Sequence, residues 1–230
     1  MAEEPVSALA VAGREQLFPP IFDQLIAIGA LAALVALGVG GPLLWELAGS
    51  DYVESRDLTL EQPVQFSHRH HVAEIGLDCR YCHNSVENSS FAGIPATNVC
   101  MTCHSQLFTD SKILEPIRES YAQNKPIHWQ RVHHLPDYVY FNHGIHIHKG
   151  VSCVSCHGRV DQMALVRQVK PLTMEWCLDC HRDPGPNLRP ADKVFDLGWP
   201  RPKDPALDAK LMQDYHIRQT GLTNCSVCHR

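Results

Sequence analysis

The sequence offers little from which to build an ordinary hydrophobic core after its first 45 residues. Aromatic residues make up 7% of the 230 residues, prolines number 16, and long apolar runs are scarce after Cys79. The formal net charge is −5, and no basic patch with interleaved aromatic residues occurs. A nucleic-acid-binding surface needs such a patch, so we expect no nucleic-acid partner.

The sequence also has no cysteine outside one pattern, Cys-x-x-Cys-His. Five copies of this pattern use all ten cysteines, and they are numbered here in chain order. Motifs 1 to 5 are Cys79/Cys82/His83, Cys100/Cys103/His104, Cys153/Cys156/His157, Cys177/Cys180/His181 and Cys225/Cys228/His229.

Cys-x-x-Cys-His is the attachment signature of c-type haem. Cysteines three apart on one helical turn can both bond to the porphyrin as thioethers, and the next histidine can ligate the iron. Zinc ribbons need two cysteine pairs per metal, and five pairs leave one unmatched. Thioredoxin-like redox pairs occur singly beside a βαβ unit, and a disulfide framework gives no reason for the histidines.

We therefore expect five covalently bound haem c groups, whose proximal iron ligands are the motif histidines. Each porphyrin is a large apolar surface around which loop-rich segments can pack. The expected fold class is a multihaem cytochrome c, mostly irregular, with short α-helices packed around haems and one N-terminal transmembrane helix.

Residues 25–45 form a run of 21 uncharged residues between Asp23 and Glu46. This run is long enough to cross a bilayer as a helix. The alternatives are a cleaved signal peptide, whose apolar region is usually shorter, and a buried core helix. We expect an uncleaved anchor over residues 21–47 after a cytoplasmic tail, residues 1–20. Small residues recur every four positions in it, which favours contact with a partner helix.

Haem c is attached outside the cytoplasmic membrane, so the haem region is expected on the periplasmic side of that membrane. A linker, residues 48–65, leads to it. Residues 66–71 and 141–146 both read Phe-x-His-x-x-His, and each precedes two haem motifs. This internal repeat predicts two dihaem modules, residues 66–140 and 141–205, and a C-terminal helix with a fifth haem site, residues 206–230.

Ten histidines remain after the proximal ligands are assigned. Filling both axial positions of an iron leaves no site for a substrate and favours electron transfer over catalysis. The predicted distal ligands are His68, His71, His133, His143 and His146. The alternates are His70, His148 and two methionines, Met163 and Met174, while His128, His134 and His216 are expected at the surface.

Two amphipathic helices are predicted outside the motifs. The first covers residues 114–123, with Leu114, Ile117 and Tyr121 on one side, and the second covers residues 206–217. The proline-rich tract that follows His181 is expected to run along the surface in an extended form.

The arrangement of Phe-x-His-x-x-His before Cys-x-x-Cys-His resembles the small class III multihaem cytochromes. A closer resemblance covers most of residues 66–230. The strings FSHRHH, GLDCRYCHNSVENSSFAGIP, RVHHLPDYVYFNHGIH, CHGRVDQM, MEWCLDCHR and NCSVCHR are similar to the pentahaem membrane-anchored subunit of alternative complex III, a quinol:electron-acceptor oxidoreductase.

That resemblance implies an electron-transfer subunit with no substrate site in this chain. Its partners would be membrane and iron–sulfur subunits, a monohaem cytochrome c subunit, a soluble carrier and a terminal oxidase. One alternative is a stand-alone membrane-anchored quinol dehydrogenase that feeds a periplasmic reductase. Another is a multihaem reductase, for instance of nitrite, which would need an iron with an open position.

Overall fold

The computed structural model describes residues 18–53 and 56–229, and the chain divides into two compact units after Val53. The division falls inside the predicted linker, residues 48–65. Most of the predicted cytoplasmic tail, residues 1–20, lies outside the described residues. Within the described residues there are short helices and isolated bridges but no strands.

The first unit is one apolar helical run, Ile21–Ala48, of 28 residues, and the mean hydropathy of its most apolar 18-residue stretch is 2.1. It consists of α1 (Ile21–Val35), a π-helical turn (Ala36–Gly40) and α2 (Gly41–Ala48). Pro42 lacks an N–H and crowds the carbonyl four residues earlier, which accounts for the wider turn before α2. The run exceeds the roughly 20 residues that a membrane span needs, so it is a candidate for one.

Over residues 56–229, the second unit contains eight α-helices and several shorter turns. The α-helices are α3 (Cys79–Cys82), α4 (Thr97–His104), α5 (Glu115–Gln123), α6 (His143–His148), α7 (Cys153–His157), α8 (Met174–Arg182), α9 (Pro205–Asp214) and α10 (Cys225–Cys228). A π-helical segment, Arg69–Glu74, precedes α3 and is called the first distal helix below. The 3₁₀ turns are Lys112–Leu114, Val160–Gln162, Gly185–Asn187 and Ala191–Lys193.

The helix predicted over residues 114–123 begins at Glu115, directly after the turn Lys112–Leu114, and has Pro116 in its first turn. Its buried residues are Ile117 and Ser120, whereas Tyr121 is exposed, so the predicted inward face is wrong at Tyr121. Ser120 is buried instead of Tyr121, because its hydroxyl forms a hydrogen bond with the Thr97 hydroxyl of α4 at 2.7 Å and donates a second one to the Lys125 carbonyl.

The proline-rich tract after His181 does not run along the surface as expected. It makes two 3₁₀ turns, and Leu188, Val194 and Leu197 are among the most buried side chains of the chain. Arg201 allows this burial because its guanidinium donates to the carbonyls of Leu188 and Gly185 at 2.7 and 2.8 Å. The tract therefore supplies an ordinary side-chain core beside the haem motifs.

Helix α9 packs against this core. Leu211 is buried, and the Tyr215 hydroxyl donates to the Arg189 carbonyl at 2.7 Å. Gly150 has a φ of +80°, and a Cβ there would meet the Tyr215 ring at 2.3 Å. Position 150 therefore requires glycine, both because its φ is positive and because a larger residue would clash with the Tyr215 ring.

Candidate haem-binding sites

Each Cys-x-x-Cys lies on one turn of a short helix, namely α3, α4, α7, α8 and α10. Side-chain caps start two of these helices: Asp78 accepts from the Arg80 N–H at 2.8 Å, and Thr173 accepts from the Trp176 N–H. No disulfide joins any of the ten cysteines, all of which lie in the described residues. The local fold therefore presents both thiols of each motif for thioether bonds to one porphyrin.

The protein itself covers the predicted thioether positions unequally. Eight cysteines are half-buried, whereas Cys103 of motif 2 and Cys225 of motif 5 are exposed, so these two lie outside any crevice of the folded chain. At Cys103 the reason is the orientation of α4. This helix packs on α5 through Thr97, and a side chain six positions later points to another side of the helix. The thioether role of Cys103 and Cys225 therefore stays a prediction from the motif, without support from burial.

Four of the five motif histidines face a second histidine from a Phe-x-His-x-x-His segment. The ring centroids of His68 and His83 are 6.4 Å apart with an interplanar angle of 1°, and those of His143 and His157 are 6.4 Å apart at 10°. His71 and His104 are 6.2 Å apart, as are His146 and His181. Each segment therefore serves both motifs that follow it.

These separations fit an iron between the two rings. An imidazole–metal bond is about 2 Å long and the ring centroid lies about 1 Å behind the ligating nitrogen, so opposed axial imidazoles have centroids about 6 Å apart. The ring planes can take any angle about the shared axis, which accommodates the 64° of His71 and His104. The four pairs have the spacing of bis-histidine haem ligation.

Hydrogen bonds from Nδ1 fix the tautomer in most of these histidines. The Nδ1–H of His83 donates to the Gly93 carbonyl at 2.7 Å, and that of His143 donates to the Ser90 carbonyl at 2.9 Å. The same bond to a carbonyl occurs in His71, His104, His146, His181 and His229. With the proton on Nδ1, the lone pair of Nε2 is free to bind a metal.

Burial keeps several of these imidazoles neutral. It lowers the pKa of His68 to about 4 and that of His157 to about 3, with smaller contributions from neighbouring histidines. Burial is also the largest cause of the lowered pKa values of His71 and His146. A neutral imidazole is the form that ligates iron, so the environment favours ligation at neutral pH.

The phenylalanine of each repeat holds both histidines of its segment. Phe66 stacks on His71 at 4.3 Å and meets His68 edge-on at 4.9 Å. Phe141 stacks on His146 at 4.4 Å and meets His143 edge-on at 4.7 Å. This packing gives the phenylalanine of Phe-x-His-x-x-His a physical role, which is to orient two imidazoles at once.

His133, the fifth predicted distal ligand, does not lie opposite a motif histidine. Its ring centroid is 4.2 Å from that of His157 at an interplanar angle of 76°, which leaves no room for an iron between them. Its Nε2 is buried without a hydrogen-bond partner in the described structure, and burial lowers its pKa to about 4. The structure therefore brings His133 to motif 3, where His143 already faces His157.

The alternates have different surroundings. The His70 imidazole lies 2.8 Å from the Glu74 carboxylate at the surface, and His148 is exposed. Met163 is buried beside Gly158, directly after motif 3. Met174 is 67% exposed at the first position of α8, which carries motif 4.

Motif 5 differs from the other four in its histidine contacts. Within the described residues the ring partner of His229 is Tyr138, at 5.8 Å, and its Nδ1 bonds to the carbonyl of the same residue at 3.2 Å. The Tyr140 N–H donates to the Cys228 carbonyl at 2.8 Å. Backbone contacts with residues 138–140 thus hold α10.

In the part of the chain that the structure describes, no three His, Cys, Asp or Glu side chains form a group that could hold a bare metal ion. Separate thiol pairs and opposed imidazoles are the arrangement that haem c attachment requires.

Some residues that orient the ligands carry no sequence signal. The carbonyls of Ser90, Gly93 and Leu222 accept the bonds that fix His143, His83 and His181. Any residue type has a backbone carbonyl, so only the folded chain identifies these acceptors.

Comparison with known proteins supports the haem assignment. Residues 64–124, which hold motifs 1 and 2, match the family model described as cytochrome c7 and related cytochrome c. Over 98 residues the chain is 38% identical to the menaquinone reductase, multiheme cytochrome c subunit of Nitratidesulfovibrio vulgaris strain Hildenborough. That match covers 42% of this chain and 46% of the relative, so the chain spans less than half the length of the relative.

Proposed function

We propose that the chain is a multihaem cytochrome c, because residues 64–124 match that family's model, the described residues are helical, and one N-terminal apolar helix could span a membrane. We propose that the chain binds five haem c groups through its ten cysteines. The proposed axial pairs of motifs 1 to 4 are His83 with His68, His104 with His71, His157 with His143, and His181 with His146.

For motif 5 we assign Met174 as the ligand opposite His229, in place of His133. Met174 lies one helical turn before Cys177, and the thiol of Cys177 is close enough to that of Cys228 to contribute, after burial, to its raised pKa. The Met174 side chain is 67% exposed on the helix whose Cys177 neighbours Cys228 of motif 5, whereas His133 is packed on His157. A methionine ligand raises the potential of its haem relative to bis-histidine haems.

Bound haem c would supply reversible one-electron chemistry, and the paired histidines of motifs 1 to 4 would supply both imidazole ligands of each of their irons. The four imidazole pairs at 6.2 to 6.4 Å carry this conclusion, because a six-coordinate iron has no position for a substrate. We therefore propose an electron-transfer subunit of a quinone-linked respiratory complex rather than a nitrite-type reductase. The helix Ile21–Ala48 would anchor it in the cytoplasmic membrane, with the haem unit on the periplasmic side.

The finer proposal follows the resemblance to alternative complex III. Iron–sulfur and quinol-oxidising partners would deliver electrons to this chain, which would pass them to a monohaem cytochrome, a soluble carrier or a terminal oxidase. The match to a menaquinone reductase subunit favours a second candidate, in which electrons move toward the quinone.

Quinol turnover by the purified complex separates these directions. Quinol added to the oxidised complex should reduce the haems within turnover time, and reduced haems should transfer electrons to added acceptor cytochrome. Rapid haem oxidation by menaquinone, with no haem reduction by menaquinol, would contradict the quinol-oxidising direction and favour the second candidate.

The isolated full-length chain tests the stand-alone quinol dehydrogenase. Without partner subunits it should show no quinol-driven reduction of an acceptor, because four of the five proposed irons would have both axial positions filled by paired histidines. Steady turnover by the chain alone would contradict the role of electron-transfer subunit.

A further inference from the structure

The two modules contact each other through equivalent positions. The Gly144 N–H, at the start of α6, donates to the Ser89 carbonyl at 2.9 Å. The Arg69 N–H, which holds the same place in the first distal helix, donates to the Met163 carbonyl at 3.0 Å. Ser89 and Met163 each lie six positions after the histidine of their own motif, His83 and His157.

This reciprocity is the mark of an isologous contact, in which residue i of one half meets residue j of the other and the reverse. Each module lays its distal helix on the loop that follows the first motif of the other module. The same loop, residues 84–94, provides the carbonyl acceptors for His83 of motif 1 and His143 of motif 3. Motifs 1 and 3 are therefore joined directly at the module boundary.

The thiols agree with this placement. The first cysteines of motifs 1 and 3 are neighbours, because the sulfur atoms of Cys79 and Cys153 lie within hydrogen-bonding distance of each other. Equivalent residues that meet each other are expected only at a local two-fold axis.

Other contacts place motifs 2 and 4 outside this central pair. His68 and His71 share one helical segment and face motifs 1 and 2, and the Tyr81 hydroxyl of α3 lies 2.8 Å from the Thr102 hydroxyl of α4. His143 and His146 share α6 and face motifs 3 and 4 in the same way.

Motif 5 lies next to motif 4. The Nδ1–H of His181, the proximal histidine of motif 4, donates to the Leu222 carbonyl at 2.9 Å, three residues before Cys225. Within the described residues, no further haem motif is linked to motif 2 in the way that motif 5 is linked to motif 4. The internal symmetry therefore stops at motif 4.

We infer that the two modules form an internal pseudo-two-fold pair, which sets the five attachment sites in the spatial order 2, 1, 3, 4, 5 rather than in chain order. This inference rests on the proposed binding of five haem c groups. It makes motifs 1 and 3 the junction between modules, and it leaves motifs 2 and 5 at the two ends.

Nuclear Overhauser spectroscopy of the fully reduced, diamagnetic full-length holoprotein tests this order directly. With ¹³C-labelled haem, proton cross-peaks are expected between the thioether groups of motifs 1 and 3, and none between motifs 2 and 3. Cross-peaks between motifs 2 and 3 without any between 1 and 3 would overturn the order. Mass spectrometry of the same sample counts the haems, so a haem deficit would overturn the proposed function separately.

Gly144→Ala provides a second test at the junction. A Cβ at this position would meet the Glu87 carbonyl oxygen at 2.7 Å, so α6 must move away from the first module. The cross-peaks between motifs 1 and 3 should weaken severalfold, while those within each module remain. The matched control is Gly198→Ala, where the nearest atom is 3.6 Å away. Wild-type junction cross-peaks in Gly144→Ala would contradict the inferred packing.

Discussion

Motifs 1 to 4 and motif 5 share the Cys-x-x-Cys-His pattern but have different surroundings. Each of the first four faces a histidine from a Phe-x-His-x-x-His segment, at centroid separations of 6.2 to 6.4 Å. Motif 5 has Tyr138 as the ring neighbour of His229 among the described residues. On the proposed assignment, a Cys-x-x-Cys-His motif supplies the attachment site and one axial ligand, whereas the second ligand comes from a separate segment.

The two copies of that segment also differ from each other. The first distal helix, Arg69–Glu74, is π-helical and has no buried residue, while α6, His143–His148, is α-helical with Gly144 buried. Both nevertheless present their histidines at the same separations. The constraint is therefore the spacing of the two histidines and the phenylalanine that packs on them, and the helix type adapts to it.

The largest expected effect comes from removing the fifth site. Cys225→Ala with Cys228→Ala should eliminate one haem and, with it, the histidine–methionine component of the spectrum. The bis-histidine components should remain, because both axial histidines of motifs 1 to 4 lie outside α10. Mass spectrometry and low-temperature electron paramagnetic resonance measure the two effects, and loss of bis-histidine signals would contradict the separation of motif 5 from the repeat.

Breaking a pair inside the repeat should change one haem without removing it. His143→Ala should convert the haem of motif 3 from low spin to high spin, and His146→Ala should do the same at motif 4, because each iron loses one axial imidazole. Ferric absorption and electron paramagnetic resonance detect the change. His148→Ala is the matched control on α6, and a wholly low-spin spectrum in His143→Ala and His146→Ala would contradict the repeat as the source of distal ligands.

The turn after motif 3 offers a pH-dependent way to weaken the module junction. A hydrogen bond from Arg159, at 2.7 to 2.9 Å, is the main cause that lowers the pKa of Asp161. The folded pKa is below the unfolded one, so the stabilisation is present above the unfolded pKa and is lost as pH falls through the folded pKa. Asp161→Asn should therefore cost about 1–3 kcal/mol of unfolding free energy at neutral pH and little in acid.

Denaturant unfolding, followed by the low-spin haem band at neutral and acid pH, measures this difference. The exposed pair of Asp179 with Arg182 provides the control, since Asp179→Asn should cost less than about 1 kcal/mol. An equal loss from Asp161→Asn at both pH values would show that the Arg159 bond is not the cause.

The smallest expected effect concerns the phenylalanine of the repeat. Phe141→Leu removes the stacking on His146 and should cost about 0.5–1.5 kcal/mol beyond lost burial, measured as a shift in the denaturant midpoint. Phe66→Leu should behave alike in the first module. Phe91→Leu, at an exposed phenylalanine whose ring contacts Arg131, is the control. A larger loss from Phe91→Leu would argue against ring orientation as the role of Phe141.

Much of this arrangement could be predicted from the sequence, because the residues that define it occur in short patterns. The motif helices, the apolar helix and the two distal segments follow from spacing within a few residues. The position of His133 could not be predicted in this way, because its packing on His157 depends on a contact between residues more than 20 positions apart. The burial of the tract around Leu188 was missed because Arg201, 13 residues later, satisfies its carbonyls. The exposure of Cys103 is likewise absent from its motif, since it depends on how α4 packs on α5.

Near-infrared magnetic circular dichroism of the oxidised full-length chain counts haems by axial ligand and tests the central claim most directly. We predict four bis-histidine haems and one histidine–methionine haem per chain, with the methionine signal lost in Met174→Leu and kept in Met163→Leu. Five bis-histidine haems, or fewer than four, would contradict the ligand assignment on which the proposed electron-transfer role rests.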